Sequence, residues 1–247
     1  MANNYNMKND PKIIYQDDDI VIVNKPHDYL SIPDRFTPSK PNLVGFLNKK
    51  FEKVFIVHRL DKETSGIICF ALNEDAHRNL SQQFEKRTTE KIYLALVKGN
   101  VHNDEGIIDK PIAKHGVVAG KMIVASRGKP SVTNYKVVER FRNYTLMEMD
   151  IKTGRMHQIR VHLQSESYPL AVDSMYGGDD AFLLSKVKLK RYKSGKNNEE
   201  MPIMSRCTLH SFRLTLDHPT TNERMSFEAE LPKDFNAVIK QLRKWGK

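Results

Sequence analysis

The sequence predicts an α+β fold, a mixed and mostly antiparallel central β-sheet with flanking helices and loops. Three observations point there. Short β-branched and aromatic runs recur along the 247 residues, and they follow one another instead of alternating strictly with helices. Few segments carry the apolar spacing of a helix; one is 75–86, where Leu80 and Phe84 stand four apart. Hydrophobic residues make up 39% and charged residues 28% of the chain, which suits a folded domain and is too apolar for a disordered one.

Residues 1–10 are polar, lack the apolar core of a signal peptide and read as a disordered tail, leaving 11–247 as a single domain. Ile13–Tyr15 and Ile20–Val23 are predicted strands around the turn Gln16-Asp17-Asp18-Asp19. The Asp triplet suits a solvated turn better than a metal site, because Asp bonds its own backbone in turns. Lys25-Pro26 closes the second strand, and a Pro-containing loop runs to Pro41. A short helix is expected over 43–51, strands over 54–57 and 67–72, a helix over 75–86 and a strand over 91–98. The polar stretch 101–128 reads as loop and hairpin. Strands follow over 131–139, 144–151 and 209–216, with helices over 157–164 and 232–245. Between about 179 and 206 lies a basic insertion, densest from Lys186 to Lys196, expected as a surface loop or hairpin that either meets RNA phosphate or is merely solvated.

Forty Lys and Arg against thirty Asp and Glu leave a net charge of +10 and a pI near 9.4. Such a surplus fits a polyanionic partner, since each cation that meets a phosphate releases counterions, although a solvated Lys-rich surface also accounts for it. Two cysteines, Cys69 and Cys207, have neither CxxC spacing nor a second pair, so no disulfide framework or structural zinc is expected. Cys69 falls in the apolar run Ile67–Ala71, where a buried thiol acts as a small hydrophobe. No apolar stretch is long enough to span a bilayer. A cytoplasmic protein is expected, with no membrane association, no obligatory protein partner, and a monomeric state.

Several chemistries lack their motifs. There is no phosphate-binding GxxxxGK[ST], no GxGxxG after a strand, no HExxH and no deaminase HxE…PCxxC. His157 and His162 miss the i,i+4 spacing of two ligands on one helical face. No cofactor and no metal is therefore implied, and the chemistry falls to side chains.

The informative segment is Val57-His58-Arg59-Leu60-Asp61-Lys62-Glu63-Thr64-Ser65-Gly66. By itself it reads as a strand running into an Arg-x-Asp pair and a Thr-Ser-Gly turn, for which a weak surface ion pair is one account. HRLD followed by TSG also resembles the active-site motif of the RluA-type RNA pseudouridine synthases; the related RsuA type usually reads GRLD. Further segments resemble the same family in the same order: Tyr15–Pro26, Lys91-Ile92-Tyr93-Leu94-Ala95, Gly154-Arg155-Met156-His157-Gln158-Ile159-Arg160-Val161-His162-Leu163, and Leu209–Leu214 with His218-Pro219. Together they span roughly 13–235. The chain departs from the family at His27-Asp28 after Lys-Pro, at Met156, at Val172-Asp173 before Tyr176-Gly177, and in the basic insertion. With only about a dozen residues ahead of the first strand, no S4-like RNA-binding domain is expected to precede the core.

The resemblance implies the pseudouridine synthase catalytic fold and isomerisation of uridine in ribosomal or transfer RNA. Asp61 would be the catalytic carboxylate, Arg160 its cationic partner and Tyr93 the active-site tyrosine. An Arg can bind a carboxylate bidentately; a phosphate contact or a surface position is the alternative for Arg160. Tyr93 could stack on uracil or fill the core; an ordinary phenol is a poor base at neutral pH. Arg59 would fill the gap left by a flipped base, since its flat cation stacks on bases. His58, Arg155, Ile159 and Leu209 are further substrate-binding candidates, the last two as lining of a uracil pocket. His58, His157 and His162 are expected to be structural, not catalytic. Two other classes remain: an RNA-binding or chaperone protein without catalysis, and a glycoside hydrolase. The hydrolase would need a second carboxylate, which no recognisable motif supplies.

Overall fold

A computed structural model describes residues 10–192 and 200–247. The expected tail, apart from Asp10, and part of the basic insertion lie outside the described residues. In chain order the strands and helices are β1 (Lys12–Gln16), β2 (Ile20–Lys25), α1 (Leu43–Leu47), β3 (Phe55–Ile56), β4 (Ser65–Ala71), α2 (Glu74–Lys86), β5 (Glu90–Lys98), β6 (Glu105–Asp109), β7 (Ile112–Lys114) and β8 (Met122–Val124). They continue with β9 (Val132–Arg140), β10 (Tyr144–Ile151), α3 (Gln158–Ser165), α4 (Ser185–Lys188), β11 (Leu209–Asp217), β12 (Arg224–Glu228) and α5 (Lys233–Trp245). Mostly antiparallel strands with few helices make the fold α+β, as expected. The chain forms two compact units, one of residues up to Thr89 with Ser211–Glu230, the other of Glu90–His210 with Leu231–Lys247.

In the first unit, β2 and β4 pair antiparallel from Ile20↔Ala71 to Lys25↔Gly66, and β1 extends the sheet beyond β2. All seven residues of β4 are buried, which explains its unbroken run of apolar and small residues. Helix α2 covers this sheet with Ala76 and Leu80, completing a core with Ile20, Ile67, Leu214 and Phe227. At its start Asn73 accepts the Ala76 N–H, and Glu74 and Asp75 face the positive end of the helix dipole. Arg87, at φ 61°, terminates it. The Asp17 carboxylate binds the Asp19 and Ile20 N–H groups, the Tyr15 hydroxyl and His218, so the acidic triplet builds a turn.

In the second unit, β5, β10, β9 and β6 form an antiparallel run, with β7–β8 as a separate hairpin. Helix α5 packs Phe235, Val238, Ile239 and Leu242, spaced i, i+3, i+4 and i+7, against Leu96, Tyr144 and Phe182. Arg206 fastens the start of α5 by a bidentate pair to Asp234 at 2.8 Å.

Several expectations shift. The helix expected over 43–51 stops at Leu47, because Lys50 and Phe51 both donate to the Leu47 carbonyl in a tightened turn. The strand expected over 54–57 is only two residues long. The described ends of the basic insertion are joined by an antiparallel bridge, Phe182↔Met204, and its first part folds into short helical turns. These are α4 and a 3₁₀ turn, Leu189–Arg191, held by the buried Val187. Cys69 is fully buried as expected, and burial raises its thiol pKa. Among the described residues, no helix is long and apolar enough to cross a membrane.

Candidate active site

Asp61 lies half-buried in the loop between β3 and β4. The backbone on both sides of it is gripped by one segment, 25–31. Strand β2 ends at Lys25, whose side chain is fully buried. A buried ammonium needs its donors satisfied, and this one donates to the carbonyls of Pro26 (3.1 Å), Tyr29 (2.7 Å) and Lys62 (3.0 Å). The Asp28 N–H donates to the same Lys62 carbonyl at 2.9 Å. On the other side, the buried Ser31 hydroxyl donates to the Leu60 carbonyl at 2.9 Å and accepts the Leu60 N–H at 3.0 Å. One hydroxyl thus satisfies both backbone groups of the residue before Asp61. Within the loop, the Thr64 N–H closes onto the Asp61 carbonyl at 3.1 Å.

The turn then needs its glycine. Gly66 has φ 114°, and a Cβ there would lie 2.1 Å from the Ser211 carbonyl oxygen on β11. Arg59 is exposed and makes no ion pair among the described residues, so the surface Arg59–Asp61 pair is not formed. His58 accepts the Cys69 N–H at 3.0 Å, where the short β3 ladder stops, and stacks on Phe84 at 4.5 Å. Its ring thus links the end of β3 to β4 and α2.

The second unit carries the other candidates. Tyr93 is buried on β5 opposite Met149. Ile159 and Leu209 are buried at 4% and 3% exposure, and Arg155 is half-buried, its Nε 3.4 Å from the Pro130 carbonyl. Arg160 is buried on α3. Its Nε and Nη2 donate to the two oxygens of Asp173 at 2.7 and 2.8 Å, a bidentate fork, and its guanidinium lies 4.9 Å from the Tyr176 ring centroid. The Tyr176 hydroxyl accepts the Met122 N–H and bonds His157 Nδ1, both at 2.8 Å.

Helix α3 is anchored by a buried polar chain. Gln158 Oε1 accepts from the Thr153 hydroxyl (2.6 Å) and the Arg155 N–H (3.1 Å), and its Nε2 donates to the Val132 carbonyl and the Thr133 hydroxyl. Thr133 also bonds His162 Nδ1, and His162 Nε2 faces the Lys110 carbonyl, both at 2.9 Å. These partners fit a neutral imidazole protonated on Nε2. Burial lowers the pKa of His162, outweighing the opposite effect of its bond to the Lys110 carbonyl. The unfolded chain therefore binds a proton near pH 6.5 that the folded chain refuses, and stability falls as pH drops below that value. Thermal melts from pH 8 to 5 are expected to show this fall, and His162→Gln to show a shallower one. An equal slope in both proteins would exclude His162 as the cause.

Sequence reasoning missed Ser31, Asp173, Tyr176 and Gln158 as parts of the site's support. Asp173 and Tyr176 did leave a signal, the altered pair Val172-Asp173 ahead of Tyr176-Gly177. Ser31 left none, because a serine in a Pro-containing loop carries no pattern.

A braced aspartate in an HRLD–TSG loop and a buried arginine on a GRMHQIR helix, carried on mostly antiparallel sheet, define a class. A family model described as RNA pseudouridylate synthase matches residues 19–165, and the chain belongs to that family, in its RluA-type branch. It isomerises uridine in RNA to pseudouridine. The chain is 35% identical over 237 residues to ribosomal large subunit pseudouridine synthase D of Vibrio parahaemolyticus, covering 94% of this chain and 70% of that one. It is 39% identical over 242 residues to an uncharacterized RNA pseudouridine synthase of Aquifex aeolicus, covering 93% and 72%. Among solved structures it resembles human RNA pseudouridylate synthase domain containing 4, with a TM-score of 0.73 and 25% identity over 94% of this chain and 92% of that one.

Proposed function

We propose that Asp61 is the carboxylate that carries the isomerisation, that Tyr93 and Arg160 serve the same reaction, and that the target uridine lies in large-subunit ribosomal RNA. The observation that carries the assignment of Asp61 is the grip on its neighbours, with Leu60 and Lys62 both fixed by buried polar groups while the Asp61 side chain remains half-exposed. A catalytic group needs such preorganisation. The proposed target rests on the names of relatives about 35% identical.

The reaction breaks the C1′–N1 bond of uridine and joins C1′ to C5; the proton on C5 leaves and N1 gains one. Nothing is oxidised or reduced. The carboxylate can attack C1′, attack C6, or remove the C2′ proton to give a glycal. A uridine in folded RNA must first leave its stack, and the exposed cation of Arg59 suits the vacated space.

The test uses RNA labelled with tritium at C5, which pseudouridine formation releases to water. Release from large-subunit rRNA by the wild type supports the proposed target. Release from tRNA alone would move the target to tRNA.

The grip itself is testable. Ser31→Ala leaves both backbone groups of Leu60 without their partner, and it is expected to lower kcat about tenfold with little change in KM. Ser31→Thr, which keeps the hydroxyl, should restore most of the loss. Equal losses in both variants would mean that volume at this site matters, not the hydroxyl.

A further inference from the structure

The proposed mechanism leaves unused the part of the second unit where α4 meets the end of α5. Cations gather there around one aromatic ring. The ammonium of Lys188 lies 4.9 Å from the Trp245 ring centroid and that of Lys244 lies 5.2 Å from it. Arg142 is tied to the same end of α5: its backbone N–H donates to the Gly246 carbonyl and its Nη2 to the Lys247 carbonyl at 3.0 Å. Arg142, Lys186, Leu189 and Leu242 border one depression. Lys240 stands one helical turn before Lys244, on the same side of α5.

The acidic side chains nearby are already engaged. Asp179 takes Lys186 at 2.5 Å and Lys98 at 2.9 Å, and Glu139 takes Arg243 at 2.9 Å. Lys188, Lys190, Arg191, Lys240 and Lys244 have no carboxylate partner among the described residues. Like charges set this close repel one another in the free chain. A polyanion removes that cost and gains from released counterions. The half-buried Trp245 ring adds a surface on which a base or a cation can stack.

We propose that α4, the 3₁₀ turn after it and the end of α5 form one docking face for RNA phosphate, centred on Trp245. The face deepens the basic segment read from the sequence, because cations more than 40 positions away along the chain, on α5, complete it. It rests on the reading of the protein as an RNA isomerase, whose substrate supplies the polyanion.

Trp245 is the chain's one tryptophan, so its emission reports on this face alone. The full chain is titrated with large-subunit rRNA fragments, and separately with bulk tRNA, at several salt concentrations. RNA is expected to change Trp245 emission saturably, and salt to reverse the change. The variants K188Q/K190Q/R191Q and R142Q/K240Q/K244Q should each bind about tenfold more weakly at low salt and flatten the slope of log affinity against log salt by roughly 2. Unchanged emission, or wild-type slopes in both variants, would overturn the proposal. Wild-type RNA slopes with lost retention on immobilised polyglutamate would also overturn it, assigning the face to an acidic polypeptide. Tritium release at saturating RNA is read alongside and is expected to be the same in all three proteins. A wild type that binds RNA without releasing tritium would sink the isomerase reading and leave this binding test intact.

Discussion

Asp61→Asn should reduce tritium release by on the order of 10⁴-fold while RNA affinity stays within about threefold of the wild type. Asparagine keeps the shape of the side chain but is neutral and replaces one acceptor oxygen with a donor, so it cannot act as nucleophile or base. The loop is held through the backbone of Leu60, Asp61 and Lys62 and through the Lys25 and Ser31 side chains, none of which the change touches. Lost turnover with retained binding therefore isolates the chemistry. Near-normal turnover in Asp61→Asn would remove Asp61 from the mechanism, and the grip on its neighbours would then serve folding alone.

Asp173→Ala should destabilise the protein by about 3–5 kcal/mol, measured as a lower urea midpoint. The side chains of Asp173 and Arg160 are 1% and 4% exposed, and two hydrogen bonds join them. Removing the carboxylate takes two short hydrogen bonds and a buried negative charge away from the buried guanidinium. Replacing both residues, as Arg160→Met with Asp173→Leu, should recover most of the stability, because an apolar pair of similar size avoids the cost of desolvating two ions. The double variant also separates folding from catalysis. If Arg160 serves the reaction as proposed, the refolded protein stays inactive. Activity in the double variant would reduce Arg160 to a structural ion pair. A single variant as stable as the wild type would show that the pair contributes nothing net.

The helices and strands with strong local signals were legible in the sequence. Helix α2 reads over 75–86 from Leu80 and Phe84, one residue short of its start at Glu74, and α5 reads over 232–245. Strand β4 showed itself as an unbroken apolar run. Strand β12 went unread, since Arg224–Glu228 is short, mostly polar and defined chiefly by its pairing with β11. Strand β3 came out shorter than expected because the His58 ring, not a further strand residue, takes the Cys69 N–H.

The same division holds for the candidate site. The sequence by itself determined the class of chemistry, because the residues around Asp61, Tyr93 and Arg160 form contiguous motifs, and a motif depends on neighbours along the chain. Tertiary structure alone decided what holds those residues in place. Ser31 lies 29 positions from Leu60, Lys25 lies 37 from Lys62, and Asp173 lies 13 from Arg160. Each of these contacts satisfies a buried polar group, a requirement that exists only once folding has removed water from it.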